Sequence, residues 1–127
     1  MRLLIDTNAY SGFKRGDAAT VEAIARAEEI LIPVPVLGEL RVGFRGGARE
    51  ARDLLELEEF LDTPRVSVQP MGEETAIRYA EIYAGLKSTG NPIPTNDLWI
   101  AASALETGSI LLSRDARFDL VPGIIRR

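Results

Sequence analysis

The sequence contains no cysteine and no histidine. Without cysteine the chain can form no disulfide, thiolate nucleophile or thiolate zinc site. Without histidine it lacks the usual zinc ligand and the side chain that most often acts as a general base near neutral pH. Acid–base chemistry must therefore use carboxylates, tyrosines, Lys14, Lys87 or metal-bound water.

Long apolar runs and an excess of positive charge are also missing. No segment approaches the roughly 18 consecutive apolar residues of a membrane span, so we expect no membrane partner. The start does not resemble a signal peptide, because Asp6 interrupts the first apolar run, and we expect a cytoplasmic protein. The net charge of −4 argues against non-specific nucleic-acid binding but is compatible with an enzyme that contacts a few phosphates.

Short apolar runs that alternate with amphipathic segments indicate the fold class. The predicted strands are Arg2–Ile5, 30–32, 66–68 and Ile110–Leu112, with 124–125 as a candidate edge strand. The predicted helices are 17–29 capped by Asp17, a helix from about Pro35 to Gly46, 48–61, 72–87, and 97–106 capped by Thr95 or Asn96 and ended by Gly108. This alternation predicts an α/β fold with three layers, in which helices cover both faces of a parallel sheet of four to five short strands. We expect residues 1–127 to form a single domain.

Four acidic residues stand beside apolar runs: Asp6, Glu39, Asp97 and Asp115. A carboxylate at the end of a buried strand is unfavourable unless it is paired, and four that converge would repel one another. A divalent cation removes both penalties, and hard cations such as Mg²⁺ prefer oxygen ligands. The order of the elements places all four acids near the carboxyl ends of the strands, where open parallel sheets form their sites. The pattern therefore predicts a carboxylate metal site.

The segments around these acids resemble the motifs of a known family. The four segments are Leu4-Ile5-Asp6-Thr7-Asn8, Val36-Leu37-Gly38-Glu39-Leu40, Thr95-Asn96-Asp97-Leu98-Trp99-Ile100-Ala101-Ala102 and Leu111-Leu112-Ser113-Arg114-Asp115-Ala116-Arg117-Phe118. They are similar to the signature segments of PIN-domain ribonucleases, and most closely to those of the VapC toxins of bacterial and archaeal toxin–antitoxin pairs. The resemblance covers essentially the whole chain, including a typical closing segment at residues 118–124.

The resemblance implies a role for each residue in these motifs. Asp6, Glu39, Asp97 and Asp115 would be the catalytic, metal-binding acids. Residues expected to support the site are Thr7, Asn8, Asn96 and Ser113, with Asp119 as an additional outer ligand. Arg114 and Arg117 flank the fourth acid and are candidate phosphate contacts.

The implied activity is metal-dependent hydrolysis of RNA phosphodiester bonds. A Mg²⁺ or Mn²⁺ ion can lower the pKa of water and polarise a phosphoryl oxygen, which fits a chain without histidine. Asp6, Glu39 and Asp97 would be the inner ligands, and Asp115 would face a second ion or water. The resemblance also implies a homodimer and a VapB-type antitoxin, whose amphipathic segment would lie in a groove walled by the helices predicted at 17–29 and 35–61.

Two other functions stay open at this point. A catalytically silent PIN-like binding module would be expected to have lost one or more of the acids, and all four are present. A phosphatase with an aspartate nucleophile would usually show Asp-x-Asp after the first strand. Asn8 stands at the second of these positions, and no suitably placed lysine follows the helical segments.

Overall fold

The computed structural model describes residues 1–127 as a four-stranded sheet, six α-helices and a short 3₁₀ helix. In chain order the elements are β1 Arg2–Ile5, α1 Thr7–Lys14, α2 Ala18–Arg26, β2 Glu29–Pro33, α3 Val34–Phe44, α4 Glu50–Leu61, β3 Val66–Gln69, α5 Glu73–Ser88, α6 Thr95–Thr107, β4 Ile110–Leu112 and the 3₁₀ helix Ala116–Leu120. No helix is long and apolar enough to span a bilayer.

The sheet is parallel throughout, with the strand order β3-β2-β1-β4. Strand β1 is central: Leu3 pairs with Ile30 of β2 on one side and with Ile110 of β4 on the other. The consecutive residues Leu3, Leu4 and Ile5 are all fully buried. Because successive side chains of a strand point to opposite faces, helices must cover both faces of the sheet. The predicted three-layer α/β fold is confirmed, with four strands.

Helix α1 was not predicted from the sequence. Its residues include Thr7, Asn8 and Gly12, which are poor helix formers, and the triplet Asp6-Thr7-Asn8 is also typical of a turn. Two tertiary features favour the helix instead. The Asp6 carboxylate accepts a hydrogen bond from the Ala9 backbone N–H (2.8 Å) and thereby caps the helix. In addition, the buried Tyr10 ring packs edge-on against Phe60 of α4, with ring centroids 5.3 Å apart.

The start of helix α6 also differs from the prediction. Pro94 is the N-cap residue and Thr95 is already helical, so neither Thr95 nor Asn96 caps this helix. Proline is compatible with this position because its fixed φ suits a chain entering a helix, and no side chain replaces it as a cap. The predicted end at Gly108 is confirmed: Gly108 has φ 65°, a left-handed conformation that glycine adopts readily.

The predicted edge strand at 124–125 is wrong. The segment forms only a single parallel bridge, between Arg126 and Leu111. Three backbone hydrogen bonds hold it there. The Leu111 N–H donates to the Ile125 carbonyl (2.8 Å), the Arg127 N–H donates to the Leu111 carbonyl (2.9 Å), and the Ser113 N–H donates to the Arg127 carbonyl (3.2 Å). A turn at Gly123, which has φ 88°, precedes this contact, and the Ile124 N–H donates within that turn to the Val121 carbonyl (3.3 Å). The terminal segment thus covers part of the outer edge of β4 without becoming a strand.

Core packing predicts a large difference between two leucines of α4. Leu57 is fully buried, whereas Leu55 is 56% exposed on the same helix. We expect Leu57→Ala to lower the free energy of unfolding by about 2–5 kcal/mol, because it removes buried methyl groups and leaves a cavity. The matched variant Leu55→Ala should change it by about 0.5 kcal/mol or less. Urea unfolding of both variants checks this, and equal losses would contradict the burial pattern.

A second prediction concerns acid stability. Asp17 caps α2 and pairs with Arg114, and its hydrogen bond from the Thr20 hydroxyl is the main cause that lowers the pKa of Asp17 to about 2. A carboxyl group with a lowered pKa in the folded state stabilises the protein above its unfolded pKa and loses this effect as the pH falls towards 2. We therefore expect Asp17→Asn, which keeps a capping oxygen, to lose less stability than the parent between about pH 4 and pH 2. Thermal melts across this range give the comparison, and identical acid profiles would contradict the assignment.

Candidate active site

The four predicted acids lie together in one open pocket at the carboxyl ends of β1 and β4. The pocket has a volume of about 480 Å³. Its lining consists of Asp6, Thr7, Asn8, Glu39, Pro94, Thr95, Asn96, Asp97, Ile100, Asp115 and Arg117. Nearly every lining residue is polar, and Arg117 is the only cation among them. The fold therefore brings together acids that are up to 109 positions apart in the chain.

Asp6 is the most buried of the four, at 5% exposure. It directly follows β1, and its backbone N–H donates to the Leu112 carbonyl at the end of β4 (3.4 Å). Burial is the main cause that raises the pKa of Asp6, and the charges of Asp115 and Glu39 raise it further. Hydrogen bonds from the Ser113 hydroxyl and the Ala9 N–H act in the opposite direction. The ionised form of Asp6 is thus held in a place that disfavours it.

Glu39 reaches the pocket from the second turn of α3, which follows β2 without a loop. The Thr7 hydroxyl donates a hydrogen bond to Glu39 Oε1 (3.1 Å). This contact joins the first turn of α1 to the middle of α3, and it fixes one carboxylate oxygen of Glu39. The other oxygen accepts no hydrogen bond from the protein.

Asp97 enters the pocket from the first turn of α6, where the helix dipole favours a negative charge. Partial burial is nevertheless the main cause that raises the pKa of Asp97. The Arg117 guanidinium opposes this increase, whereas Asp115, Glu39 and Asp6 each add to it. Since Asp97 senses the charge of all three other acids, the four carboxylates form one electrostatic cluster.

Asp115 lies in the turn between β4 and the 3₁₀ helix and is bound tightly by Arg117. Asp115 Oδ1 accepts a hydrogen bond from the Arg117 backbone N–H (2.9 Å). The guanidinium donates from Nε to both carboxylate oxygens (3.0 Å each) and from Nη2 to Oδ2 (2.6 Å). These side-chain bonds are the main cause that lowers the pKa of Asp115. The same Nη2 lies 3.4 Å from Asp97 Oδ2, so Arg117 bridges two of the four acids.

The residues expected to support the acids fall into two groups. Thr7, Asn8 and Asn96 line the pocket, and the buried Ser113 lies directly behind it. Ser113 Oγ accepts a hydrogen bond from the Asp115 backbone N–H (3.0 Å), so this one hydroxyl connects Asp6 and Asp115. 

Asp119 and Arg114 do not line the pocket. Both Asp119 oxygens accept hydrogen bonds from Arg126 (2.9 and 2.8 Å). Arg114, named above as a candidate phosphate contact, pairs with Asp17. Each side chain is directed away from the acids by a partner that lies elsewhere in the sequence.

Three pocket residues had no role in the sequence-based site. Pro94 and Thr95 precede Asp97 in the first turn of α6, and Ile100 follows it by three positions. Helical spacing could have indicated Ile100, because residues three apart share a helix face. The sequence indicates the bridging position of Arg117 only weakly. An arginine two residues after an acid is common in proteins.

The donor set fits a hard divalent cation. Only oxygen ligands are available, all four carboxyl groups are partly or fully buried, and their mutual repulsion favours a cation between them. As the side chains stand, however, no three of them are grouped so that they could hold one ion. Asp115 is directed to Arg117 instead. The residues therefore suit a metal by their chemistry, and side-chain rotation would be needed to close the cluster.

Comparison with known proteins identifies the family. The model of the PIN domain family matches residues 3–124. Ribonuclease VapC5 of Mycobacterium tuberculosis is 31% identical over 129 aligned residues, which cover 94% of this chain and 87% of the relative. Ribonuclease VapC2 of Rickettsia felis is 27% identical over 130 residues, covering 98% of this chain and 96% of the relative.

Solved structures agree with the sequence relatives. The VapBC2 complex of Rickettsia felis, bound to a DNA fragment from its promoter, contains a chain that matches all of this one with a TM-score of 0.87. The two chains are 25% identical, and the match covers 98% of the Rickettsia chain. The same parallel sheet with helices on both faces thus occurs in a relative of nearly equal length. This chain belongs to the PIN domain family and, within it, is of the VapC type.

Proposed function

We propose that this protein is a metal-dependent endoribonuclease toxin of a type II toxin–antitoxin system. Its substrate is RNA, and its acids hold Mg²⁺ or Mn²⁺. The observation that carries the proposal is the convergence of Asp6, Glu39, Asp97 and Asp115 in one pocket, outside the hydrophobic core. The names of the relatives, which are ribonucleases, support the same activity. In this proposal residues 1–127 act as a single PIN domain.

The chain's own residues would hold the site in place before any reaction. Asp6 is positioned by the Ala9 N–H and the Ser113 hydroxyl, and Glu39 by the Thr7 hydroxyl. Together with Asp97 they would be the inner ligands, with Asp115 directed towards a second ion or the attacking water. When bound, the metal supplies a water of lowered pKa and polarises the phosphoryl oxygen. These ligands come from the end of β1, from α3, from α6 and from the turn after β4, so the site depends on the whole fold.

Two observations disfavour the alternative functions. A silent binding module would have no reason to keep four mutually repelling acids in one pocket, because their repulsion destabilises the fold. For an aspartate-nucleophile phosphatase, Asn8 lines the pocket where a second aspartate would be expected, and no lysine lines it. Both observations favour hydrolysis that depends on a metal held by carboxylates.

We infer the partners from the relatives and from two surfaces. A VapB-type antitoxin would lie in the groove of about 390 Å³ lined by Tyr10, Ser11, Lys14, Arg15, Phe44, Arg49, Asp53 and Glu56. The walls of this groove are α1, α3 and α4, so α1 replaces the helix at 17–29 that was expected from the sequence. A homodimer would use the exposed apolar side chains Val34 and Val42 of α3, together with Met71 beside them. An RNA-cleaving toxin with these partners would act in the cytoplasm.

The central prediction is that Asp97→Asn abolishes RNA cleavage. Asparagine has nearly the same size but removes the negative charge, so we expect a loss of at least about 100-fold with the fold unchanged. Cleavage of total cellular RNA by the purified protein in Mg²⁺ or Mn²⁺, with and without EDTA, measures this. Asp62→Asn, at the exposed end of α4, is the matched control and should cleave like the parent. Parent-like cleavage by Asp97→Asn, or cleavage that persists in EDTA, would refute the proposal.

A further prediction is that metal stabilises the fold through the same acids. A ligand that binds only the folded state adds about 2.7 kcal/mol at 100 times its dissociation constant, so Mn²⁺ should raise the Tm. Asp6→Asn should lose most of this increase, since Asn keeps the capping oxygen of α1 but removes a charged ligand. Thermal melts with Mn²⁺ and with EDTA give the comparison. An equal increase in both proteins would show that metal binds elsewhere.

A further inference from the structure

Arg117 differs from the other cations near the active site in that it contacts the acids directly. It is the only cation that lines the acid pocket, and its guanidinium contacts both Asp115 and Asp97. The two neighbouring arginines of the same region are engaged elsewhere. Arg114 pairs with Asp17, and Arg126 pairs with Asp119 while also donating to the Ser113 carbonyl (3.1 Å). Arg117 is therefore the only cation that contacts the acids inside the pocket.

The guanidinium of Arg117 uses oxygens that a metal ion would need. Nε and Nη2 donate to both carboxylate oxygens of Asp115, and Nη2 also approaches Asp97 Oδ2. The guanidinium thus occupies lone pairs on both oxygens of Asp115, and its positive charge repels a second cation at the same carboxylate. As they stand, the four acids form no group that could hold an ion. Arg117 and a metal ion would therefore compete for Asp115.

The surrounding structure lets the Arg117 side chain move while its backbone stays in place. The side chain is 55% exposed, so it can rotate into solvent without displacing a packed neighbour. The 3₁₀ helix that carries it is anchored by Phe118, which is 1% exposed, and by Val121, which is 2% exposed. The Arg126–Asp119 pair holds the same segment from the other side. Release of Asp115 therefore requires only a change of side-chain rotamers.

We propose that Arg117 is the counter-cation of the acid pocket in the metal-free protein, and that a divalent ion displaces it from Asp115. Arg117 then sets the metal affinity of the site, because every binding event must break its contacts. The proposal rests on the proposed function, in which these acids bind a divalent ion. Arg117 compensates only one of four negative charges, so the pocket still attracts a divalent cation. A monovalent guanidinium on a flexible stem also binds carboxylates more weakly than an ion that several of them share.

Removal of Arg117 should therefore tighten metal binding. We expect Arg117→Gln to bind Mn²⁺ about three- to ten-fold more tightly than the parent, as measured by calorimetry without RNA. Arg117→Lys keeps the charge but loses the planar fork, so its affinity for Mn²⁺ should lie between that of the parent and that of Arg117→Gln. Arg114→Gln removes an equal charge three positions away and is the matched control, with an affinity within about two-fold of the parent. The difference in Mn²⁺ affinity between the parent and Arg117→Gln should decrease in high salt, because salt screens exposed ion pairs.

A spectroscopic measurement tests the displacement itself. The ¹⁵N–¹H resonance of Arg117 Nε, assigned by its loss in Arg117→Gln, should shift in the parent when diamagnetic Mg²⁺ is added, because its carboxylate acceptor is withdrawn. In Asp97→Asn, which should bind Mg²⁺ poorly, the shift should require much more metal. An Arg117 resonance that stays unchanged at saturating Mg²⁺ would overturn the displacement.

The outcomes separate this inference from the function on which it rests. If the parent binds Mn²⁺ and Arg117→Gln binds it equally or less tightly, the counter-cation role is wrong and the metal site stands. If Arg114→Gln tightens Mn²⁺ binding as much as Arg117→Gln does, the effect comes from the net charge of the region. The specific exchange of Arg117 for metal at Asp115 is then wrong. If neither the parent nor Arg117→Gln binds Mn²⁺, and the parent does not cleave RNA, the proposed function fails and this inference fails with it.

Discussion

Repulsion among four carboxylates is the physical constraint around which this molecule is organised. Asp6 and Asp97 each lose hydration through burial, and each is further disfavoured by the charges of its neighbours. A protein selected for stability alone would place apolar residues at such positions. The fold instead holds the acids together with a few directed contacts, from the Ala9 N–H, the Ser113 and Thr7 hydroxyls and the Arg117 guanidinium.

The scaffold can tolerate this arrangement because the repulsion is confined to one end of a strongly apolar sheet. The last three residues of β1, Leu3 to Ile5, are fully buried, and both neighbouring strands are paired with β1 in register. The carboxyl ends of parallel strands lie at the same edge, so a residue placed after β1 meets one placed after β4 without any long loop. Helices α3 and α6 then add Glu39 and Asp97 to the same edge. The hydrophobic interior thus determines the geometry of the charged site.

Prediction from sequence succeeded where a local pattern and the tertiary environment favour the same structure. The strands β1, β2 and β4 are continuous apolar runs, which is what a sheet covered on both faces requires. It failed where tertiary contacts outweigh local propensity. Helix α1 forms from poor helix formers because Asp6 caps it and Tyr10 packs on Phe60, which lies 50 positions away. Ile124-Ile125 has the composition of a strand but directly follows the turn at Gly123, and the segment forms a single bridge, between Arg126 and Leu111.

The sequence by itself determined the class of fold and the chemistry open to the site. The absence of histidine and cysteine leaves oxygen ligands, and the positions of Asp6, Glu39, Asp97 and Asp115 beside apolar runs indicate that they converge. Only the tertiary structure decided which nearby charges belong to the site. Arg114, Arg117 and Asp119 all lie within five residues of Asp115, yet Arg117 alone faces the acids, while Asp17 and Arg126 engage the other two. The direction of a long, charged side chain depends on partners brought near by the fold, and these partners are invisible in the local sequence.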